Sequence, residues 1–119
     1  MDDIFNSNFV IQTGATVKDA LEAITDNQRG SIVIIDEDKK LLGVISDGDI
    51  RRGLLKEMTI LAPVEDMANL NPIVLVESGS LREESKKIFS DKPAVNLIPI
   101  VSSDNILVDV IIRSPEVRT

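Results

Sequence analysis

Residues 31–52 read SIVIIDEDKKLLGVISDGDIRR, and this stretch predicts the central architecture of the chain. Two short apolar runs, residues 31–35 and 41–45, flank the polar residues 36–40. Runs of this length on either side of a polar turn are typical of two buried strands joined in a hairpin. From Asp47, acidic residues come first and basic residues follow, which is the order that a helix dipole favours. The stretch therefore predicts a buried hairpin that leads directly into a helix.

Another helix is predicted before the hairpin. Thr16 is a typical N-cap residue and Gly30 stands past the end of the helical pattern. Between them, apolar residues recur at the i, i+3, i+4 and i+7 spacing of an amphipathic helix, namely Val17, Ala20, Leu21 and Ile24. Upstream, Val10 and Ile11 form a short extended segment. The predicted order is strand, helix, strand, strand, helix.

The same order of elements recurs after Pro63. Residues 97–111 match the hairpin at an offset of 66. Residues 64–71 match residues 1–8 at an offset of 63, with identical residues in the pairs Asp3 and Asp66, Asn6 and Asn69, and Asn8 and Asn71. A unit of about 60 residues cannot bury both faces of its own sheet, so we expect the two copies to pack about a pseudo-twofold axis. The predicted fold class is α/β, more narrowly α+β, built from tandem repeats.

The repeat sets the predicted boundaries. Residues 1–57 form the first copy, residues 58–63 the joint, and residues 64–119 the second copy. Pro115 falls where the final helix of the second copy would begin. Because proline interrupts helices and few residues follow it, that helix is expected to be truncated or degenerate.

Composition excludes several classes of function. The chain has no His, Cys, Trp or Tyr, which removes triad catalysis, thiolate chemistry and zinc fingers, and no metal site is predicted. With 20 acidic and 13 basic residues the net charge is −7, which argues against a nucleic-acid partner. The apolar runs are far shorter than the roughly 18–20 residues of a membrane span, and the N-terminus is acidic rather than signal-like. We therefore expect a cytoplasmic protein with no membrane partner.

The junction between hairpin and helix carries the candidate chemistry. A helix start presents free N–H groups to a phosphate. Ser46 can donate its hydroxyl to a phosphate oxygen, and Gly48 allows the phosphate to approach the backbone closely. Asp49 can accept two hydrogen bonds from a ribose diol, and Arg51 and Arg52 can neutralise phosphate charge. A plainer interpretation stands beside this one. Ser46 and Asp49 also fit a capping box, and the two arginines fit a solvated face or an oligomer contact.

The duplicated unit and the junction Gly43-x-x-Ser46-x-x-Asp49 resemble the CBS domain pair, or Bateman module, over residues 3–113. The resemblance implies that Ser46 contacts the phosphate and Asp49 the ribose of an adenosine phosphate: AMP, ADP or ATP. It also implies that the base lies against apolar walls, for which the candidates are Val10, Ile11, Ile32 and Val33. The second copy has Asp109, Ile112 and Pro115 at the three motif positions, so at most one competent site is expected.

Residues 46–52 look like the CBS pairs of sugar-nucleotide enzymes: the N-terminal modules of sugar-1-phosphate nucleotidyltransferases and the C-terminal modules of sugar-phosphate isomerases. The nucleotidyltransferase modules are favoured by residues 1–4, 96–101 and 108–109. This resemblance implies a catalytic domain after Thr119. The hypothesis is a regulatory module that is not itself an enzyme and that senses an adenine nucleotide. The alternative is a structural homodimerisation module with no physiological nucleotide; a homodimer is expected in either case.

Overall fold

The computed structural model describes residues 4–113, which form two three-stranded sheets, three α-helices and two short 3₁₀ helices. The first copy contains a 3₁₀ helix (Ile4–Asn6), β1 (Val10–Gln12), α1 (Val17–Asn27), β2 (Ser31–Ile35), β3 (Leu41–Ser46) and α2 (Asp47–Leu55). The second contains a 3₁₀ helix (Val64–Asp66), β4 (Leu75–Val76), α3 (Leu81–Asp91), β5 (Leu97–Val101) and β6 (Leu107–Ile112). The predicted mixed α and β fold class is confirmed.

Helix α1 begins and ends where its residues favour. Thr16 is the N-cap and forms a capping box with Asp19, which confirms the predicted start. Gln28 ends the helix in the left-handed conformation with φ 57°, and its N–H donates to the carbonyl of Ile24. A left-handed residue at this position stops the helical ladder and turns the chain towards β2.

The two sheets have the same topology. In the first, β2 lies between a parallel β1 and an antiparallel β3, and in the second β5 lies between a parallel β4 and an antiparallel β6. Both hairpins shift register once, between Ile34 and Ile35 and between Ile100 and Val101. The predicted hairpins are thus present in both copies, down to corresponding bulges.

The turns of the two hairpins exchange backbone hydrogen bonds. The N–H of Leu41 donates to the carbonyl of Asn105, and the N–H of Leu107 donates to that of Lys39, both at 2.9 Å. These two hydrogen bonds correspond under the 66-residue offset, because Leu41 matches Leu107 and Lys39 matches Asn105. A reciprocal contact, in which each copy donates one N–H and accepts one at the matching positions, is characteristic of a twofold relation.

Two hydrophobic cores result. One lies between the first sheet and its helices and contains Ile32, Ile34 and Ile45. The other lies between the two sheets and contains Val33, Ile35 and Leu97. Alternate residues of β2 enter the two cores, so the strand is buried on both faces.

The first core does not stop at the predicted joint. Val64 and Met67, which belong to the second copy, are buried in it beside α1 and α2. The chain before them runs antiparallel to the start of α1, where the N–H groups of Val17 and Val64 donate to the carbonyls of Ala62 and Ala15. The boundary at residues 58–63 remains a prediction from the repeat, and the packing crosses it.

The second copy covers its sheet less completely. Ile111 is half-buried, whereas its counterpart Ile45 is fully buried beneath the helices of the first copy. Residues 114–119, on which the truncated final helix was predicted, lie outside the described residues. No helix between residues 4 and 113 is long and apolar enough to cross a membrane.

Candidate functional site

A solvent-accessible cavity of about 250 Å³ lies between the two copies, where β3 passes into α2. Typical small-molecule pockets span roughly 300–1,000 Å³, so this one suits a small or partly exposed ligand. The first copy contributes Ser31, Val44, Ser46, Asp49 and Arg52. The second contributes Asn69, Asn71, Pro72, Ile73, Ala94, Val95, Asn96 and Leu97.

Ser46 and Asp49 form a complete capping box at the start of α2. One carboxylate oxygen of Asp49, Oδ2, accepts hydrogen bonds from the N–H and the hydroxyl of Ser46, both at 2.9 Å. The hydroxyl oxygen of Ser46 in turn accepts from the N–H of Asp49 at 3.2 Å. The plainer interpretation is therefore correct as a description of the local geometry. It also fixes both side chains at the cavity wall.

Arg52 occupies the second carboxylate oxygen. Its Nη2 lies 2.8 Å from Oδ1 of Asp49, and the two side chains are 67% and 19% exposed. Because Arg52 extends into solvent, this ion pair is screened and easily exchanged. The carboxylate is thus held on one side by the helix start and on the other by a largely exposed guanidinium group.

The capping box of α1 provides an internal comparison. Thr16 and Asp19 reproduce the arrangement of Ser46 and Asp49, with the N–H of Thr16 donating to Oδ2 of Asp19 at 3.0 Å. The hydrogen bonds from the backbone and then the side chain of Thr16 lower the pKa of Asp19 below its ordinary 3.8. Asp19, however, does not line the inter-repeat cavity. Capping alone therefore does not distinguish Asp49; its position at the cavity does.

Gly43 allows the two copies to approach at this site. A Cβ atom there would lie 2.6 Å from the backbone oxygen of Asn69. At this contact Val44 and Asn69 exchange backbone hydrogen bonds of 3.0 and 2.8 Å. The glycine of the Gly43-x-x-Ser46-x-x-Asp49 motif thus serves the contact between the repeats.

The wall from the second copy is rich in carboxamides. Asn69 accepts a hydrogen bond from the N–H of Asn71 through its side-chain oxygen, which forms the turn before Pro72. Asn96 is half-buried at the opposite side of the cavity. The sequence prediction did not include these residues in the site. The available signal was the identity of the pairs Asn6 and Asn69 and Asn8 and Asn71 between the copies.

Three of the predicted site residues, Ser46, Asp49 and Arg52, come together at the cavity. Arg51 is exposed and does not line it. Gly48 also lies outside the lining, and a Cβ atom there would come within 3.2 Å of Arg52 Nη1. The small residue leaves room for Arg52 to fold back towards Asp49.

The four predicted apolar walls do not line this cavity. Ile32 and Val33 are fully buried, because they lie on the central strand β2 with a core on each face. Val10 and Ile11 lie on the outer strand β1 and pack against those cores. The apolar lining consists instead of residues such as Val44, and of Ile73 and Val95 from the second copy.

The motif positions of the second copy differ as the sequence indicates. Asp109 is exposed, and its side-chain oxygen accepts from the N–H of Val110 at 2.8 Å. Ile112 ends β6, and Pro115 lies outside the described residues. Within residues 4–113 no group of three or more acidic side chains is arranged to hold a metal ion.

Comparison with known proteins identifies the family. The sequence model of the family described as "CBS domain" matches residues 1–56. CBSX2, solved in complex with AMP, superposes with a TM-score of 0.71 at 25% identity, covering 89% of this chain and 82% of that one. Residues 1–56 form a CBS domain, and the two repeats together have the fold of a CBS pair. Modules of this family are regulatory rather than catalytic.

Two further similar proteins differ in the share of their length that this chain covers. CbpB of Listeria monocytogenes, solved in complex with c-di-AMP, has a TM-score of 0.71 at 24% identity, covering 87% of this chain and 79% of that one. Arabinose 5-phosphate isomerase KpsF of Escherichia coli is 31% identical over 83 residues, which is 69% of this chain. The chain spans 26% of the length of KpsF.

Proposed function

We propose that this CBS pair binds an adenosine phosphate in the cavity between its repeats and controls an enzyme to which it is attached. The observation that carries the proposal is the position of Asp49. Its carboxylate is fixed at the cavity by Ser46, and among residues 4–113 the second oxygen is held only by the exposed Arg52. The AMP bound to the related CBSX2 supports an adenine nucleotide as the ligand class.

A ribose diol would compete with Arg52 for Asp49. An exposed ion pair contributes about 0–1 kcal/mol, whereas each hydrogen bond to a charged group contributes about 1.5–3 kcal/mol. Two hydroxyls on the carboxylate therefore outweigh the loss of the Arg52 contact. Arg52, released at the cavity wall, would then be available to the phosphate as a second ligand.

Ser46 would donate its hydroxyl to a phosphate oxygen only after giving up a bond. Its single proton is now donated to Asp49, and its oxygen accepts from the Asp49 N–H. The N–H of Ser46 continues to hold Asp49 after that rotation. Binding would thus rearrange the hydroxyl without releasing the carboxylate.

The controlled enzyme is proposed to act on a sugar phosphate. The similarity to KpsF supports a sugar-phosphate isomerase, one of the two classes that the junction residues resemble. The nucleotidyltransferase, with a catalytic domain after Thr119, remains a prediction from the sequence. Control would operate by population shift, since a ligand favours whichever arrangement of the two repeats it binds more tightly.

Isothermal titration of AMP, ADP and ATP tests the proposal, with Asp49→Asn and Asp19→Asn as a matched pair. Each substitution alters one capping box and leaves an acceptor oxygen at the cap. We expect Asp49→Asn to weaken binding at least 10-fold and Asp19→Asn to leave it within twofold. Absence of heat from all three nucleotides at millimolar concentration, with protein that melts cooperatively, would overturn the proposal.

A second candidate function is structural homodimerisation. Leu55 and Leu61 are 79% and 72% exposed at the end of α2 and in the joint. Exposed aliphatic side chains of this size favour self-association. If this is the function, sedimentation shows a dimer that nucleotides and Asp49→Asn leave unchanged, and Leu55→Lys converts it to a monomer.

A further inference from the structure

The side chain of Arg113 folds back from the end of β6 onto the loop before β5. Its Nε and Nη2 donate to the carbonyl of Val95 at 3.0 and 2.7 Å, and Nη2 also donates to that of Lys92 at 3.0 Å. The guanidinium carbon lies 4.8 Å from the centre of the Phe89 ring. The backbone N–H of Arg113 donates to the carbonyl of Asn96 at 2.9 Å. Arg113 thus bonds to three carbonyl groups of the turn between α3 and β5, in addition to the backbone bond from Val95 to Lys92 within the turn.

The same turn is part of the cavity. Ala94, Val95, Asn96 and Leu97 form a large share of the wall contributed by the second copy. Ala94 is exposed and Val95 is half-buried, so packing alone holds this wall weakly. The hydrogen bonds from Arg113 therefore have a direct effect on the shape of the cavity.

The first copy holds its equivalent turn by a different device. The backbone hydrogen bond is the same in both copies. The N–H of Asp47 donates to the carbonyl of Gly30 at 2.9 Å, and at an offset of 66 these residues match Arg113 and Asn96. The side-chain hold differs, since Asn27 donates from α1 to the carbonyl of Ser31. At the same offset the second copy has Pro93, which has no carboxamide. Arg113, which follows β6, supplies the side-chain hydrogen bonds to the turn in the second copy.

We infer that Arg113 is the positioning residue of the cavity and that it couples occupancy of the cavity to the end of β6. The ligand in this inference rests on the proposed function. A nucleotide that contacts Val95 or Asn96 steadies the turn, and the turn steadies the Arg113 backbone and side chain. Coupling free energies are reciprocal. A ligand that favours the ordered turn therefore binds more weakly when the loss of the Arg113 contacts favours the disordered turn.

Hydrogen exchange and AMP titration of the 119-residue chain test this inference. The variants are Arg113→Ala, Arg113→Lys and, as a control, Arg51→Ala, which removes an exposed arginine outside the cavity. In Arg113→Ala we expect the N–H groups of Val95 and Arg113 to exchange at least 10-fold faster and AMP to bind at least fivefold more weakly. Lysine keeps the charge but is shorter and lacks the planar guanidinium fork, so Arg113→Lys should lie between wild type and alanine. Arg51→Ala should match wild type.

The ligand supplies a readout that a purely structural role would not change. In wild type, saturating AMP should slow exchange at the Arg113 N–H at least fivefold. If exchange at Val95 and Arg113 is unchanged by Arg113→Ala, the positioning role is wrong, whether or not AMP binds. If exchange rises while AMP affinity and AMP-induced protection stay within twofold of wild type, the coupling is wrong.

Two further results remain decisive. If wild type does not bind AMP, the titration and the exchange measurements use whichever of ADP and ATP binds; if none of the three binds, the proposed function fails, and exchange in the unliganded variants alone decides the positioning role. If Arg113→Ala does not fold, the comparison of Arg113→Lys with wild type applies the same criteria.

Discussion

At the scale of single residues, Gly43 and Gly48 look alike in the sequence but meet different surroundings. A Cβ atom at Gly43 would meet the backbone of the opposite copy at 2.6 Å, where neither side can yield. At Gly48 it would meet the flexible end of Arg52 at 3.2 Å. The first glycine is required by packing between the copies, and the second only permits a side chain to fold back.

We therefore expect opposite effects from the two alanine variants. Gly43→Ala should destabilise the fold by about 1–3 kcal/mol, the usual cost of overpacking. Gly48→Ala should leave stability unchanged or raise it by up to about 1 kcal/mol, because alanine favours a helix more than glycine does. Urea denaturation measures both. Equal losses for the two variants would contradict this account of the motif glycine.

At the scale of elements, the strands and helices were predictable because their signals are local. The β-branched runs of β2 and β5, and Thr16 ahead of α1, depend on neighbours in sequence only. The cavity wall from the second copy was not predictable in this way. Val95 and Asn96 reach the site through a turn and a strand end that are joined only in the folded chain. The same limit explains Ile32 and Val33: Ile32 is buried against the helices of the first copy, and Val33 is buried against the second sheet.

The start of α1 gives a prediction about pH. The pKa of Asp19 is lowered in the folded chain by its bonds to Thr16. A lowered folded pKa means that the stabilising contribution is complete above the unfolded value and is lost as the pH falls through the folded one. We expect NMR titration to place the Asp19 carboxyl below 3.8. Asp19→Asn should reduce the loss of stability on acidification in the range below that value. A titration midpoint at or above 3.8 would contradict the observed cap.

At the scale of the whole molecule, the two copies are joined by shared cores rather than by surface contact alone. Met67 belongs to the second repeat but is buried in the core of the first, where Gly53 leaves space for its sulfur. The core between the sheets takes residues from both copies. Loss of either copy would therefore expose apolar surface in the other, and the chain should unfold as one unit.

Met67→Ala tests this unity directly. Removing a buried methionine costs about 2–5 kcal/mol, and here the loss should lower the stability of both repeats together, because each supports the other. Lys87→Ala is the control, since Lys87 is exposed on α3 and such surface changes usually stay within about 0.5 kcal/mol. Calorimetry and two spectroscopic probes should show a single transition for all three proteins, shifted only in Met67→Ala. Two separated transitions, with the second repeat unfolding at its wild-type midpoint, would mean that the repeats are independent and that a cavity shared between them could not transmit binding from one to the other.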